Sequence, residues 1–261
     1  MLFETDKKDF FDNYFKSTGV VLTTVIAEYN KFNGKIYIDD KNRYYISTVI
    51  GDDKFITAFQ PYSIDLFNEI VNEFPNVLYV EFIYDGYISK ESINREHVFS
   101  YNYKFQGKLN PEIITEQPFT VKLINESNIK LAEQYDDLYK NSLPPHHRAR
   151  LATHFKYSVE SGKDKENKIY IAFVDDIPIG FILAYYHPEY LTWRFSHIEI
   201  AENYRQKGYG AAFLTEVTKD NMKPEYSLYY TGVSGTNIAS RKTAEKAGYT
   251  IVTSMIYVKT K

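Results

Sequence analysis

The chain has no cysteine in 261 residues. Disulfides, thiolate nucleophiles and thiolate zinc sites are therefore excluded. No stretch approaches the roughly 18 apolar residues of a membrane span. The start, Met1–Phe10, lacks a basic end followed by an apolar run, so no signal peptide is read there. These absences predict a soluble, cytoplasmic protein with no membrane partner. Neither sign of charge dominates: 31 Lys+Arg stand against 34 Asp+Glu, a net of −3. That is far from the charge density of a nucleic-acid binder. There is one tryptophan against 25 tyrosines. Tyrosine packs in strands as readily as it lines clefts, so this bias assigns no function.

What is present suits a globular chain, with 44% hydrophobic and 25% charged residues. The length fits one large domain or two small ones. Charge divides unevenly. Residues 1–117 hold 12 Lys+Arg and 18 Asp+Glu, giving −6, and residues 118–261 hold 19 and 16, giving +3. A positive second half suits a polyanionic nucleotide, although the difference is small.

The most informative stretch runs from Ile198 to Ala211. His197, Ile198, Glu199 and Ile200 alternate as a strand with one apolar face. Arg205-Gln206-Lys207-Gly208-Tyr209-Gly210-Ala211 then reads R-x-x-G-x-G and opens a helix running to about Asp220. Two glycines let backbone approach a ligand, and the N–H groups of a helix start favour an anion. Arg205 and Lys207 add full charges, so the loop reads as a pyrophosphate cradle. The plainer reading is a tight turn into a packed helix. Neither a dinucleotide fingerprint nor a P-loop is present, since no G-x-G opens the turn and no G-K-[ST] follows.

Downstream, after strand-like Tyr226–Tyr230, comes Gly235-Thr236-Asn237-Ile238-Ala239-Ser240, ending Lys246-Ala247-Gly248-Tyr249. An Asn-led helix closed by Gly-aromatic, following R-x-x-G-x-G in that order, resembles the GNAT superfamily of acetyl-CoA-dependent N-acyltransferases. The resemblance covers about residues 118–261. It implies an α/β (α+β) fold and direct transfer of an acetyl group from acetyl-CoA to a primary amine of a small molecule or peptide. It further implies that Ile198 and Ile200 pair with the pantetheine arm, that Arg205–Ala211 holds the pyrophosphate, and that Asn237 contacts the arm. The rival reading is a catalytically weak acyl-CoA-binding or regulatory module.

Residues 7–16 read as a helix, and residues 20–31 lean to helix despite β-branched Val20–Ile26. Strands are expected at Lys35–Ile38, Tyr44–Ile50, Phe55–Phe59, Val77–Tyr84 and His97–Phe105, with a hairpin turn at 51–54 and a Ser63-capped helix over 63–73. This first part, residues 1–110, resembles the degenerate half of two-domain bacterial GNAT proteins. It lacks R-x-x-G-x-G, so no cofactor is expected there. A linker at 111–117 leads to the second domain, 118–261. There the expected order is strand 119–124, a helix capped by Asn125 or Ser127 through Tyr139, a break at 142–145, a helix over 147–161, and strands 168–174, 177–186 and 191–200. After Gly248-Tyr249 only Thr250–Val258 remains as strand. Its sheet edge then needs a cover, and the N-terminal half is the candidate.

Acyl transfer from a thioester needs a base for the amine, a donor for the carbonyl oxygen and a proton for the thiolate. Glu199 and His197 are the nearest titratable groups for the base. The alternatives are that Glu199 faces solvent or pairs with Arg194, and that His197 is simply packed. The tyrosine acid of many GNAT enzymes is replaced by Ala244. Ser240 matches the serine of the branch that acetylates ribosomal-protein N-termini, and could donate to the thiolate or merely bond its own helix. His146, His147 and His154 invite a metal reading, but seven residues put His147 and His154 two turns apart. No metal is expected, and the oligomeric state is not legible.

Overall fold

The computed structural model describes residues 2–5, 9, 10, 14, 29, 34–50, 53–74, 76–85, 97–110, 113–139 and 150–260. Of the expected helices at 7–16 and 20–31 only residues 9, 10, 14 and 29 are described, each of them helical; the rest of both, the break at 142–145 and half of the turn at 51–54 lie outside the described residues. In chain order the strands are β1 (Leu2–Glu4), β2 (Lys35–Asp39), β3 (Tyr44–Ile50), β4 (Asp53–Ala58), β5 (Val77–Asp85), β6 (His97–Phe105), β7 (Thr120–Leu123), β8 (Asn167–Val174), β9 (Ile177–His187), β10 (Thr192–Ile200), β11 (Ser227–Ser234) and β12 (Tyr249–Lys259). The helices are α1 (Ile64–Glu73), α2 (Lys130–Tyr139), α3 (Leu151–Glu160), α4 (Tyr209–Asn221) and α5 (Ile238–Lys246).

The chain forms two compact units. The first comprises Met1–Asn102, Gly232–Asn237 and Ile251–Lys261; the second comprises Tyr103–Thr231 and Ile238–Thr250.

In the first unit β1 to β5 lie side by side in sequence order. β4 and β5 are parallel. A parallel pair needs a crossover, and α1 supplies it. Ser63 starts that helix by accepting the Leu66 N–H at 3.1 Å, satisfying a donor the helix cannot. Its apolar face, Leu66, Phe67 and Ile70, packs in a core with Ile56, Val80, Phe82, Ile256 and Val258. The last two come from β12, whose residues Thr253–Lys259 pair antiparallel with Asp85–Tyr79 of β5. The expected open edge at 250–258 is thus covered by a strand of the N-terminal part.

In the second unit the strand order is β11-β10-β9-β8-β7. β7, β8, β9 and β10 are antiparallel neighbours, and β10 and β11 are parallel. Helices α2 and α3 cover one face through Ala132, Tyr135, Leu151 and Phe155 against Ile169, Ile171, Phe181 and Leu183. Helix α2 begins at Lys130, later than an Asn125 or Ser127 cap would place it. Asn125 Oδ1 accepts the Ser127 N–H at 2.9 Å, and Asn128 Oδ1 accepts the Asn125 N–H at 2.7 Å. These side chains build a local turn that spends the capping groups before the helix starts. Helix α4 lies against β10 and buries Phe213, Leu214 and Val217 completely.

Candidate functional site

Two changes occur near the end of β10. Its pairing with β11 runs over Thr192–Phe195 against Ser227–Tyr230. Just beyond, its register with β9 slips: Ser196 faces Leu183 and Glu199 faces Phe181. Three steps on β10 match two on β9, which defines a β-bulge at His197-Ile198. His197 there has φ of 51°, uncommon for a residue with a side chain. The parallel register with β11 is not continued beyond Phe195. Where two neighbouring strands part in this way, an extended ligand can add along the strand.

The chain then makes a 3₁₀ turn at Glu202–Tyr204 and enters α4 through Arg205–Gly208. Gln206 and Gly208 adopt φ of 65° and 85°. No side chain caps α4. The N–H groups of Tyr209, Gly210 and Ala211 sit in the first turn, at the positive end of the helix dipole. That is an anion-binding arrangement.

Gly208 answers to a second demand. A Cβ on it would lie 2.2 Å from the Ile114 carbonyl oxygen. The segment 114–117 runs along this turn. The Glu116 N–H donates to the Lys207 carbonyl at 3.3 Å, and the Gln117 N–H to the Tyr209 hydroxyl at 3.1 Å. Both cations expected in the cradle are already held by carboxylates. Arg205 pairs with Glu199 and Lys207 with Glu116, each at 3.0 Å. The Lys207–Glu116 hydrogen bond raises the lysine pKa. Nothing in the spacing of the loop pointed to Glu116, which reaches it only through the path of the linker.

Glu199 is on the face of β10 that α2 covers, close enough to raise the pKa of buried Tyr135, whose main cause is burial. Its partner is Arg205, not the Arg194 weighed from sequence. His197 is exposed, with Nδ1 3.0 Å from Ser196 Oγ. The Ser240 hydroxyl makes a hydrogen bond with that of Tyr230. Burial raises the Tyr230 pKa, and the bond to Ser240 partly offsets this. Beside them Arg241 Nε donates to the Tyr103 hydroxyl at 3.4 Å. Asn237 closes a turn in the first unit, its N–H donating to Ser234 at 2.9 Å. Ile198 and Ile200 are half-buried. Among the described residues no group of three or more His, Asp or Glu could hold a metal ion. His146 and His147 lie outside them.

Residues 131–249 match the model of the Acetyltransferase (GNAT) family. The matched stretch includes the bulge, the glycine turn and α5. The C-terminal half is a GNAT domain.

Solved structures extend the likeness in fold to the whole chain. A GNAT-family acetyltransferase from Colwellia psychrerythraea has a TM-score of 0.63 at 15% identity, with 100% of each chain covered. A GCN5-related N-acetyltransferase from Sphaerobacter thermophilus has a TM-score of 0.60 at 11% identity, covering 99% of this chain and 95% of its own. A conserved protein of unknown function from Staphylococcus epidermidis has a TM-score of 0.53 at 11% identity, covering 88% and 96%. At such identities the likeness shows the fold alone. No curated protein matches. Family and fold support acyl transfer in general, and the GNAT family normally uses acetyl-CoA with an amine acceptor. Among the described residues no helix is long and apolar enough to cross a membrane.

Proposed function

We propose that the GNAT domain, residues 118–261, moves an acetyl group from acetyl-CoA to a primary amine of a small molecule or peptide, in the cytoplasm. The observation that carries this is the bulge at His197. It falls where β10 parts from β11 and directly precedes an uncapped helix start. The stretch Ser196–Ile200, past the point where the register with β11 ends, suits an extended amide-bearing arm. The first turn of α4 suits its pyrophosphate.

In this reading the amine nitrogen attacks the thioester carbonyl carbon. A C–N bond forms, the C–S bond breaks, and the amine proton passes to Glu199 or His197. A backbone N–H of Ile198–Ile200 donates to the carbonyl oxygen as charge develops there. Ser240, bonded to the buried Tyr230 hydroxyl, donates toward the departing sulfur. Arg205 and Lys207 would exchange their carboxylate partners for the pyrophosphate. That exchange releases Glu199 when the donor is bound.

Thiol release from acetyl-CoA in the presence of an amine panel tests the reaction. Binding without release would favour the acyl-CoA-binding module, a reading that the pairing of Glu199 with Arg205 also supports. Arg205→Gln and Lys207→Gln should each weaken acetyl-CoA binding roughly 10-fold by calorimetry, the worth of one charge-assisted contact. Unchanged affinity in both variants would remove the assignment of this loop.

A further inference from the structure

The face of β9 and β10 that α2 and α3 cover changes character along its length. Around Phe181 and Leu183 it is apolar core. Further along it becomes basic and aromatic. The antiparallel register sets Arg194 opposite Tyr185 and Thr192 opposite His187. Residues directly opposite share a face, so Arg194, Tyr185 and His187 stand together. The Arg194 guanidinium carbon lies 5.1 Å from the centre of the Tyr185 ring. His154 of α3 meets the same ring edge-on, with centroids 6.0 Å apart. Ser196 follows two residues after Arg194 on the same face, with its hydroxyl 3.0 Å from the bulge histidine, His197. All of these residues belong to the second unit.

Three basic side chains around one tyrosine thus lead to the bulge where the acyl group would be transferred. Burial pulls down the pKa of His154, and the charge of His197 adds to this. Burial likewise lowers His187, with Arg194 adding to it. Both histidines are held toward the neutral form. Burial also lowers Arg194, while Tyr185 opposes that. A guanidinium nevertheless stays protonated in a protein. The strip therefore keeps its fixed charge on Arg194, partly stripped of water and backed by an aromatic face. A planar cation backed by an aromatic ring binds a carboxylate in a two-point fork. Two neutral imidazoles beside it can donate further hydrogen bonds.

We propose that Arg194, seated on the Tyr185 ring that His154 also meets and on the face that carries His187, binds a carboxylate of the acetyl acceptor, so that the substrate is an amine that also carries an acid group, of the amino-acid type. The inference rests on the acyl-transfer reading. It narrows the acceptor from amines at large to those with a free carboxylate, and sets polyamines and aminoglycosides aside.

The test compares thiol release from acetyl-CoA with amino acids, β-alanine and 4-aminobutyrate against the carboxamide of each. The carboxamide keeps the shape and amine and removes only the charge. Expected is a kcat/KM for the best carboxylate roughly 10- to 100-fold above its carboxamide, the worth of a hydrogen bond to a charged group. In Arg194→Gln that ratio should collapse toward one, chiefly through KM. Arg194→Lys, which keeps a charge but not the fork, should restore part of it. Equal rates with carboxylate and carboxamide in the wild-type protein overturn the inference and leave acyl transfer standing. A preference that survives Arg194→Gln in a folded protein also overturns it. No thiol release with any amine, while acetyl-CoA binds, overturns the acyl-transfer reading and this inference with it.

Discussion

Asp39 is a buried carboxylate held by four donors. It accepts from the backbone N–H groups of Lys41 and Arg43, both at 2.9 Å, from Arg43 Nε at 2.6 Å and from the Tyr45 hydroxyl at 3.0 Å. Burial pushes its pKa up, but the Arg43, Tyr45 and Lys41 bonds outweigh it and leave the group below its usual range. A depressed carboxylate stabilises the fold fully above its unfolded value of about 3.9, and that stability is lost as pH falls through the folded value. Asp39→Asn should cost about 1–3 kcal/mol near neutrality, since it leaves buried donors short of their acceptor. The mutant should also lose less on acidification. Urea unfolding from about pH 5 to about pH 3 checks this; parallel curves for both proteins would contradict it. The same scale governs the proposed acid. Ser240→Ala should lower kcat by about 10²-fold, the low end for a positioned donor, with acetyl-CoA binding little changed. If kcat holds in Ser240→Ala but falls in Tyr230→Phe, the tyrosine is the donor. As a candidate, the serine was legible from its place after Asn237. Its bond to Tyr230 was not, because it depends on how α5 meets β11.

Most elements could be read from local pattern. Ser63 and the apolar spacing behind it announced α1, and β6 runs over the expected His97–Phe105. The bulge on β10 was illegible. Ser196-His197-Ile198 contains no glycine, asparagine or proline to mark it, and the slip exists only relative to the register with β9. The glycine turn was legible as a motif but only half explained. Gly208 is needed for its positive φ and also because the Ile114 carbonyl leaves no room for a Cβ. Gly107 has a φ of 80° too, yet a Cβ there would meet nothing within 4 Å. Gly107→Ala should therefore cost only the left-handed strain of about 1–2 kcal/mol. Gly208→Ala should cost clearly more, and displace the 114–117 segment as well. Thermal unfolding of the two variants side by side decides it; equal losses would mean that the Ile114 contact is easily relaxed. A charge placed at Gly208 would confound ligand binding with this clash, so Arg205 and Lys207 are the better probes of the cradle.

Across the whole molecule, the compact units do not follow the order of the chain. A boundary near residues 110–117 is where composition and breakers put it in the sequence. The chain itself leaves the first unit within β6 and revisits it at Gly232–Asn237 and Ile251–Lys261. No local signal marks such returns, because they are settled by which strand finds which partner. Ile256 and Val258 are fully buried among residues of the first unit. Ile256→Ala should therefore destabilise the first unit by about 2–5 kcal/mol, despite its place far along the sequence. Hydrogen exchange should show the loss at β4, β5 and α1; protection lost only in the second unit would refute it.

The pairing of β12 with β5 also has a consequence in time. The ribosome makes β5 long before β12, and at about 5–20 residues per second the interval is roughly ten to thirty seconds. Throughout it Val77–Asp85, a mostly apolar strand, has β4 on one side and no β12 on the other. A nascent chain in that state presents a bare strand edge, which makes the first unit the earlier to be synthesised, the later to be completed, and the natural place for a chaperone to bind.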